Sequence, residues 1–140
     1  MRSIFFYGLF MDATLLEEKG LHPNRVGPAR LSDYQIRIGS RATLVPSAGS
    51  TAYGVVMQLS PEEAKQLYSE ASVSDYQPEH VLTQLIGSSE TIQAICYNLP
   101  LDLAVTGTNA SYAMRLSELV LQLGFAPAYS KEIAQYAINP

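Results

Sequence analysis

Ser3-Ile4-Phe5-Phe6-Tyr7-Gly8-Leu9-Phe10-Met11 reads as an apolar strand that runs straight into a Tyr-Gly turn. Glycine at that point allows a sharp turn, and it lets a ligand approach main-chain N–H groups that a Cβ would shield. Asp12 to Lys19 follows as a short helix, with Asp12 placed to cap its first turn. A strand, a tight loop and a helix start in immediate succession converge backbone donors on an anion or a developing oxyanion.

Outward from this stretch, strands dominate the first two thirds of the chain. Val26 to Ile38 is extended with a break near Ser32-Asp33, and Ala42 to Ser47 is a short strand expected to end at Pro46. Ala48-Gly49-Ser50 reads as a turn and Ala52 to Leu59 as a further strand. Ser60-Pro61-Glu62-Glu63 starts a helix: a capping serine, proline in the first turn and acids at the positive end of the dipole. That helix is expected to stop between Glu70 and Ser72. Val81 to Ile86 and Thr91 to Leu99 are two more strands joined around Gly87-Ser88-Ser89. Asn109 or Ser111 opens a helix carrying Met114, Leu116, Leu119, Val120 and Leu123 up to Gly124, and Pro127 leads a last helical turn to Tyr136. Strands first and helices last imply an α+β fold, read as one domain over residues 1–140.

Composition narrows the function classes. Hydrophobic residues make up 47% and charged residues 16% of 140 residues, enough to bury a core without staples. A net charge of −4, with arginines dispersed between Arg2 and Arg115, argues against a nucleic-acid partner. No apolar run reaches the length of a membrane span, and the expectation is a soluble cytoplasmic protein. The single Cys96, inside Ile95-Cys96-Tyr97, reads as a packed core thiol. His22 and His80 stand alone without ligand spacing, so neither metal nor another cofactor is expected. Oligomeric state is left open by the sequence.

The order of local motifs resembles the gamma-glutamylcyclotransferase-like family. The matching pieces are Phe6-Tyr7-Gly8-Leu9-Phe10, Ala42-Thr43-Leu44-Val45-Pro46, Ala52-Tyr53-Gly54-Val55-Val56, and Leu59-Ser60-Pro61-Glu62-Glu63 through Leu67 and Tyr76. Tyr112 and Gly124-Phe125-Ala126-Pro127-Ala128-Tyr129 extend the likeness over nearly the whole chain. The resemblance implies a small mixed β-barrel flanked by helices, with the Tyr-Gly loop at its mouth. It also implies intramolecular acyl transfer on a small gamma-glutamyl molecule: the free α-amine attacks the side-chain carbonyl, releasing 5-oxoproline and an amine or amino acid. In that scheme Tyr7, Gly8, Leu9 and Phe10 form the oxyanion loop, while Tyr76 and Tyr129 are pocket tyrosines. Arg41, or Arg37 on the other side of Ile38-Gly39-Ser40, could clamp an α-carboxylate through a bidentate contact.

One position departs from the family. Its catalytic glutamate follows a Leu-Asp-x-x-Glu-Gly pattern, and an ungapped register puts Leu67 on the leucine, Tyr68 on the aspartate and Ala71 on the glutamate. Glu70 is one residue early, which on a helix turns a side chain by about 100°. Glu79 is the other nearby acid, on the same strand face as Val81. Either could serve as substitute base, and either could be a solvated acid with no role in chemistry. The sequence thus supports an acyl-transfer enzyme using Glu79 or Glu70, a non-catalytic small-ligand binder of the same fold, or an interaction protein with a vestigial pocket.

Overall fold

The computed structural model describes residues 1–104 and 106–138. Five strands, β1 (Arg2–Phe6), β2 (Asn24–Ile38), β3 (Ala42–Leu59), β4 (Gln77–Leu85) and β5 (Thr91–Asn98), close into a barrel in the order β1-β3-β2-β4-β5. The barrel is mixed because β1 meets β5 in parallel at Ile4↔Ile95, while its other pairs are antiparallel. Helices α1 (Ala13–Glu18), α2 (Pro61–Leu67), α3 (Leu101–Ala104), α4 (Ala110–Gln122) and α5 (Pro127–Ile138) flank it. Ile4, Phe5, Ile36, Val55, Met57 and Leu59 are buried in one core that α4 and α5 extend with Leu116 and Ile133.

Local chemistry explains most boundaries. The Asp12 side chain accepts from the Thr14 amide at 3.0 Å and caps α1. Ser60 and Glu63 form a reciprocal capping box at the start of α2, with Pro61 in its first turn. Gly124 at φ 90° ends α4, and the Phe125 amide returns to the Val120 carbonyl at 3.0 Å.

Three expectations change. β3 is continuous over eighteen residues and does not stop at Pro46. Opposite that proline the ladder shifts register between Ser32 and Tyr34; Asp33 takes φ 66° and its carboxylate accepts from the Gly49 amide at 3.0 Å. A bulge in β2 absorbs the irregularity, and the strand is bent there without ending. Helix α2 ends at Leu67, short of Glu70, and residues 68–75 continue as turns. The short helix α3 after Pro100 was not anticipated.

Two contacts bring α4 to the barrel mouth. The β2–β3 hairpin tip donates the Ser40 amide to the Thr106 carbonyl at 2.8 Å, and the Asn109 side chain donates to the Ser40 carbonyl at 3.2 Å. Gly39 is needed for this approach, because a Cβ there would collide with the Thr106 carbonyl. Asn109 then caps α4 by accepting from the Tyr112 amide at 3.0 Å. A residue that closes the hairpin contact thereby also sets the phase of the helix beside the cavity.

Candidate functional site

The loop after β1 borders a cavity of about 390 Å³ at the barrel mouth. Tyr7, Gly8, Leu9 and Phe10 form one side of it, and Gly8 presents only backbone there. A second wall comes from Asn109, the residue before α4, and from Tyr112 and Arg115 on that helix, with the Tyr112 hydroxyl against Gly8 and Leu9. Residues after α2 supply a third wall through Tyr68, Ser72, Val73 and Tyr76, and the hairpin tip supplies Ser40 and Arg41. The expected cavity beside the Tyr-Gly turn is therefore open, with Arg41 and Tyr76 in its lining.

The walls are aromatic and tightly fixed. Tyr68 stacks on Tyr97 with ring centroids 3.7 Å apart, and Phe6 meets Phe10 edge-on at 6.2 Å. The Tyr7 hydroxyl donates to the Tyr97 carbonyl at 2.6 Å, and the Tyr76 hydroxyl donates to the Ala42 carbonyl. The Leu9 amide donates to the Tyr112 hydroxyl at 3.3 Å, and a Cβ on Gly8 would collide with that hydroxyl. Glycine serves close approach of the Tyr112 hydroxyl here, not an unusual φ.

Burial raises the phenol pKa of Tyr7 and Tyr68 well above the ordinary value. Tyr76 and Tyr112 move in the same direction, chiefly through burial; Arg41 partly offsets the rise at Tyr76, and the Leu9 amide and Arg115 do so at Tyr112. At neutral pH these side chains are neutral hydrogen-bonding groups and cannot take a proton from an ammonium. Among the described residues the charged groups in the lining are Arg41 and Arg115, with no Asp or Glu. Arg41 donates to the Asp75 carboxylate at 3.0 Å and to the Ser72 carbonyl at 3.2 Å, and sits 5.7 Å from the Tyr76 ring centre. Arg37, the alternative clamp, is exposed on β2 and is not in the lining.

Three more of the residues singled out from the sequence fall outside the lining. Glu70 pairs with Lys19 at 2.7 Å on the surface. Its direction is set by that ion pair and not by helix phase, since α2 has already ended. Glu79 does turn inward from β4, opposite Cys96, but its Oε2 accepts from Tyr34 at 3.2 Å and from Asn98 at 2.9 Å. Tyr129 lies on α5 against Tyr53, 4.9 Å between ring centres, and its hydroxyl donates to the Tyr53 carbonyl at 3.4 Å. The helix that carries it reaches β3 through Tyr129 and β2 through Tyr136, whose hydroxyl donates to the Ile36 carbonyl at 2.8 Å. Cys96 is buried, and burial together with the Glu79 charge pushes its thiol pKa up, as befits a core thiol. Among the described residues no three metal-ligating side chains cluster.

Sequence reasoning had not assigned Tyr68, Tyr97, Asn109, Tyr112 and Arg115 to the site. A signal existed for three of them. Asn109, Tyr112 and Arg115 recur every third residue and so share one face of α4. The apolar reading of that helix had instead included Met114, which is 46% exposed.

A sequence profile described as "Gamma-glutamyl cyclotransferase, AIG2-like" matches residues 4–113. The chain belongs to this family. Its fold is that of a solved gamma-glutamyl cyclotransferase, with a TM-score of 0.75 at 16% identity over 94% of this chain and 85% of that one. YkqA from Bacillus subtilis superposes with a TM-score of 0.79 at 20% identity; 99% of this chain is covered but only 54% of YkqA. An AIG2-like protein from Mus musculus gives 0.60 at 14% identity, over 79% of this chain and 90% of that one. No curated protein matches the chain in sequence. At these identities the solved structures establish a shared fold, and the chemistry must be argued from the cavity itself.

Proposed function

We propose that this family member binds a small gamma-glutamyl compound in the mouth cavity and holds it without converting it to 5-oxoproline. The observation that carries the reading is a lining that holds, among the described residues, two arginines and no carboxylate. Cyclisation needs the glutamyl α-amine deprotonated and the leaving nitrogen protonated. Neutral phenols cannot take the ammonium proton, and those of Tyr7 and Tyr76 already donate to main-chain carbonyls; Glu70 pairs with Lys19, and Glu79 accepts from Tyr34 and Asn98. General acid–base help typically contributes about 10²- to 10⁴-fold, or roughly 3 to 5.5 kcal/mol of barrier. Without it the cavity still folds a flexible tail and presents backbone at Gly8, which favours binding but leaves the proton transfers unassisted.

The rival is acyl transfer with Glu79 as base, favoured by its inward position opposite Cys96. Calorimetric titration with a panel of gamma-glutamyl amino acids and amines, run beside an assay for 5-oxoproline, separates the two. Saturable binding without release above background is the expected result. Release that disappears in Glu79→Gln while binding persists would overturn the proposal and install Glu79 as the base.

A further inference from the structure

Resting on the gamma-glutamyl reading above, we infer that Arg115 is a specificity-determining residue: it selects conjugates whose amine half bears its own carboxylate and an aromatic side chain. The two arginines of the cavity are not equivalent. Arg41 already donates to Asp75 and to the Ser72 carbonyl, so its charge is largely answered within the protein. Among the described residues Arg115 has no ion-pair partner, and it borders the cavity. It is the uncommitted cation of an aromatic box on a chain whose net charge is −4.

Position supplies the rest. Arg115 lies one turn beyond Tyr112 on the same face of α4, about 4.5 Å along the axis. The Tyr112 hydroxyl meets the Leu9 amide at 3.3 Å. Arg115 is close enough that its charge counters the burial-driven rise in the Tyr112 phenol pKa. A ligand whose γ-carbonyl rests at Gly8 would carry the carboxylate of its amine half three bonds further on, toward the Arg115 side of the opening. A guanidinium fork matches a carboxylate in a bidentate contact. The side chain of that amine half then faces the Tyr68–Tyr97 stack and the Phe6–Phe10 edge pair, surfaces suited to another aromatic ring.

The test is a ligand-and-residue cycle by calorimetry on the full chain. Gamma-glutamyl-phenylalanine is compared with gamma-glutamyl-phenethylamine, which lacks only the carboxylate, and with gamma-glutamyl-glycine, which lacks the benzyl side chain. In the parent the phenylalanine conjugate is expected to bind about tenfold tighter than the phenethylamine conjugate. In Arg115→Gln that ratio should fall to about one, and Arg115→Lys should restore part of it. A ratio that survives Arg115→Gln overturns the assignment, and equal affinity for the glycine conjugate overturns its aromatic half. N-acetylphenylalanine distinguishes the two layers. If it binds in an Arg115-dependent way while gamma-glutamyl compounds do not bind, the glutamyl reading fails and the role of Arg115 stands. Binding of none of these compounds overturns both.

Discussion

The mouth cavity and the polar cluster around Glu79 lie at the same end of the barrel and have complementary lacks. The cavity has room, the Tyr7–Phe10 turn along one side and two cations, but, among the described residues, no carboxylate in its lining. The cluster has a half-buried carboxylate, yet Tyr34 and Asn98 occupy it, and Asn98 in turn accepts from the Leu44 amide at 3.2 Å and the Cys96 thiol at 3.5 Å. Both contacts fall on Oε2, so that oxygen of the carboxylate is committed to the fold. A base must keep lone pairs facing a substrate. Proximity in the chain to a site, which both Glu70 and Glu79 possess, is therefore a poor guide to participation in it.

The comparison breaks first at Asn98. Asn98→Leu leaves the Leu44 N–H without its acceptor and takes one donor from the Glu79 carboxylate. Each such loss typically costs about 1–3 kcal/mol, so a total of about 2–6 kcal/mol is expected. A lowered urea midpoint with unchanged slope would record it, while affinity for gamma-glutamyl ligands stays within about twofold. A matching fall in affinity would mean that the cluster shapes the cavity and that the two regions act as one.

How far the sequence disclosed all this depended on the range of the contacts. The start of α2 was legible because Ser60, Pro61 and Glu63 interact over three residues. The Tyr7–Phe10 side of the cavity was legible for the same reason, being four consecutive residues. The α4 wall was not, because Leu9 and Tyr112 meet across 103 positions and the helix is positioned through the Ser40–Thr106 bond. Pro46 misled as a strand end because the accommodating bulge lies in the partner strand, at Asp33. Tyr129 misled because a matching motif carries no information on which face of the barrel its helix covers.

A second way to sharpen the comparison is to put an acid where the room is. The ungapped register places the family glutamate on Ala71, whereas Ser72 is the residue in the lining. Ser72→Glu is expected to confer 5-oxoproline release about 10²- to 10³-fold above the parent, the lower half of the usual range for acid–base catalysis. The reason for the lower half is Arg41, whose donor lies 3.2 Å from the Ser72 carbonyl and would keep the new carboxylate ionised and weakly basic. Arg41→Gln added to Ser72→Glu should therefore raise the rate further, provided ligand affinity survives. No release from either variant, with binding retained, would show that the missing acid is not what separates this cavity from a working one.

The smallest effect concerns Lys19 and Glu70. Their side chains are 34% and 37% exposed and 2.7 Å apart, so the pair contributes little against solvent and salt. Lys19→Ala should change unfolding free energy by less than about 1 kcal/mol, with the difference shrinking at high ionic strength. Lys19 also lies 5.9 Å from the Phe10 ring centre, so its removal loosens one rim of the cavity as well as freeing Glu70. If the ion pair were the restraint keeping an otherwise competent base out of the cavity, the variant would begin to release 5-oxoproline and would lose that gain on adding Glu70→Gln. The expected result is no release and ligand affinity within about twofold, because α2 stops at Leu67 and nothing beyond it directs Glu70 toward Gly8. Release in the single variant would identify a surface ion pair as the element that separates the acid from the room.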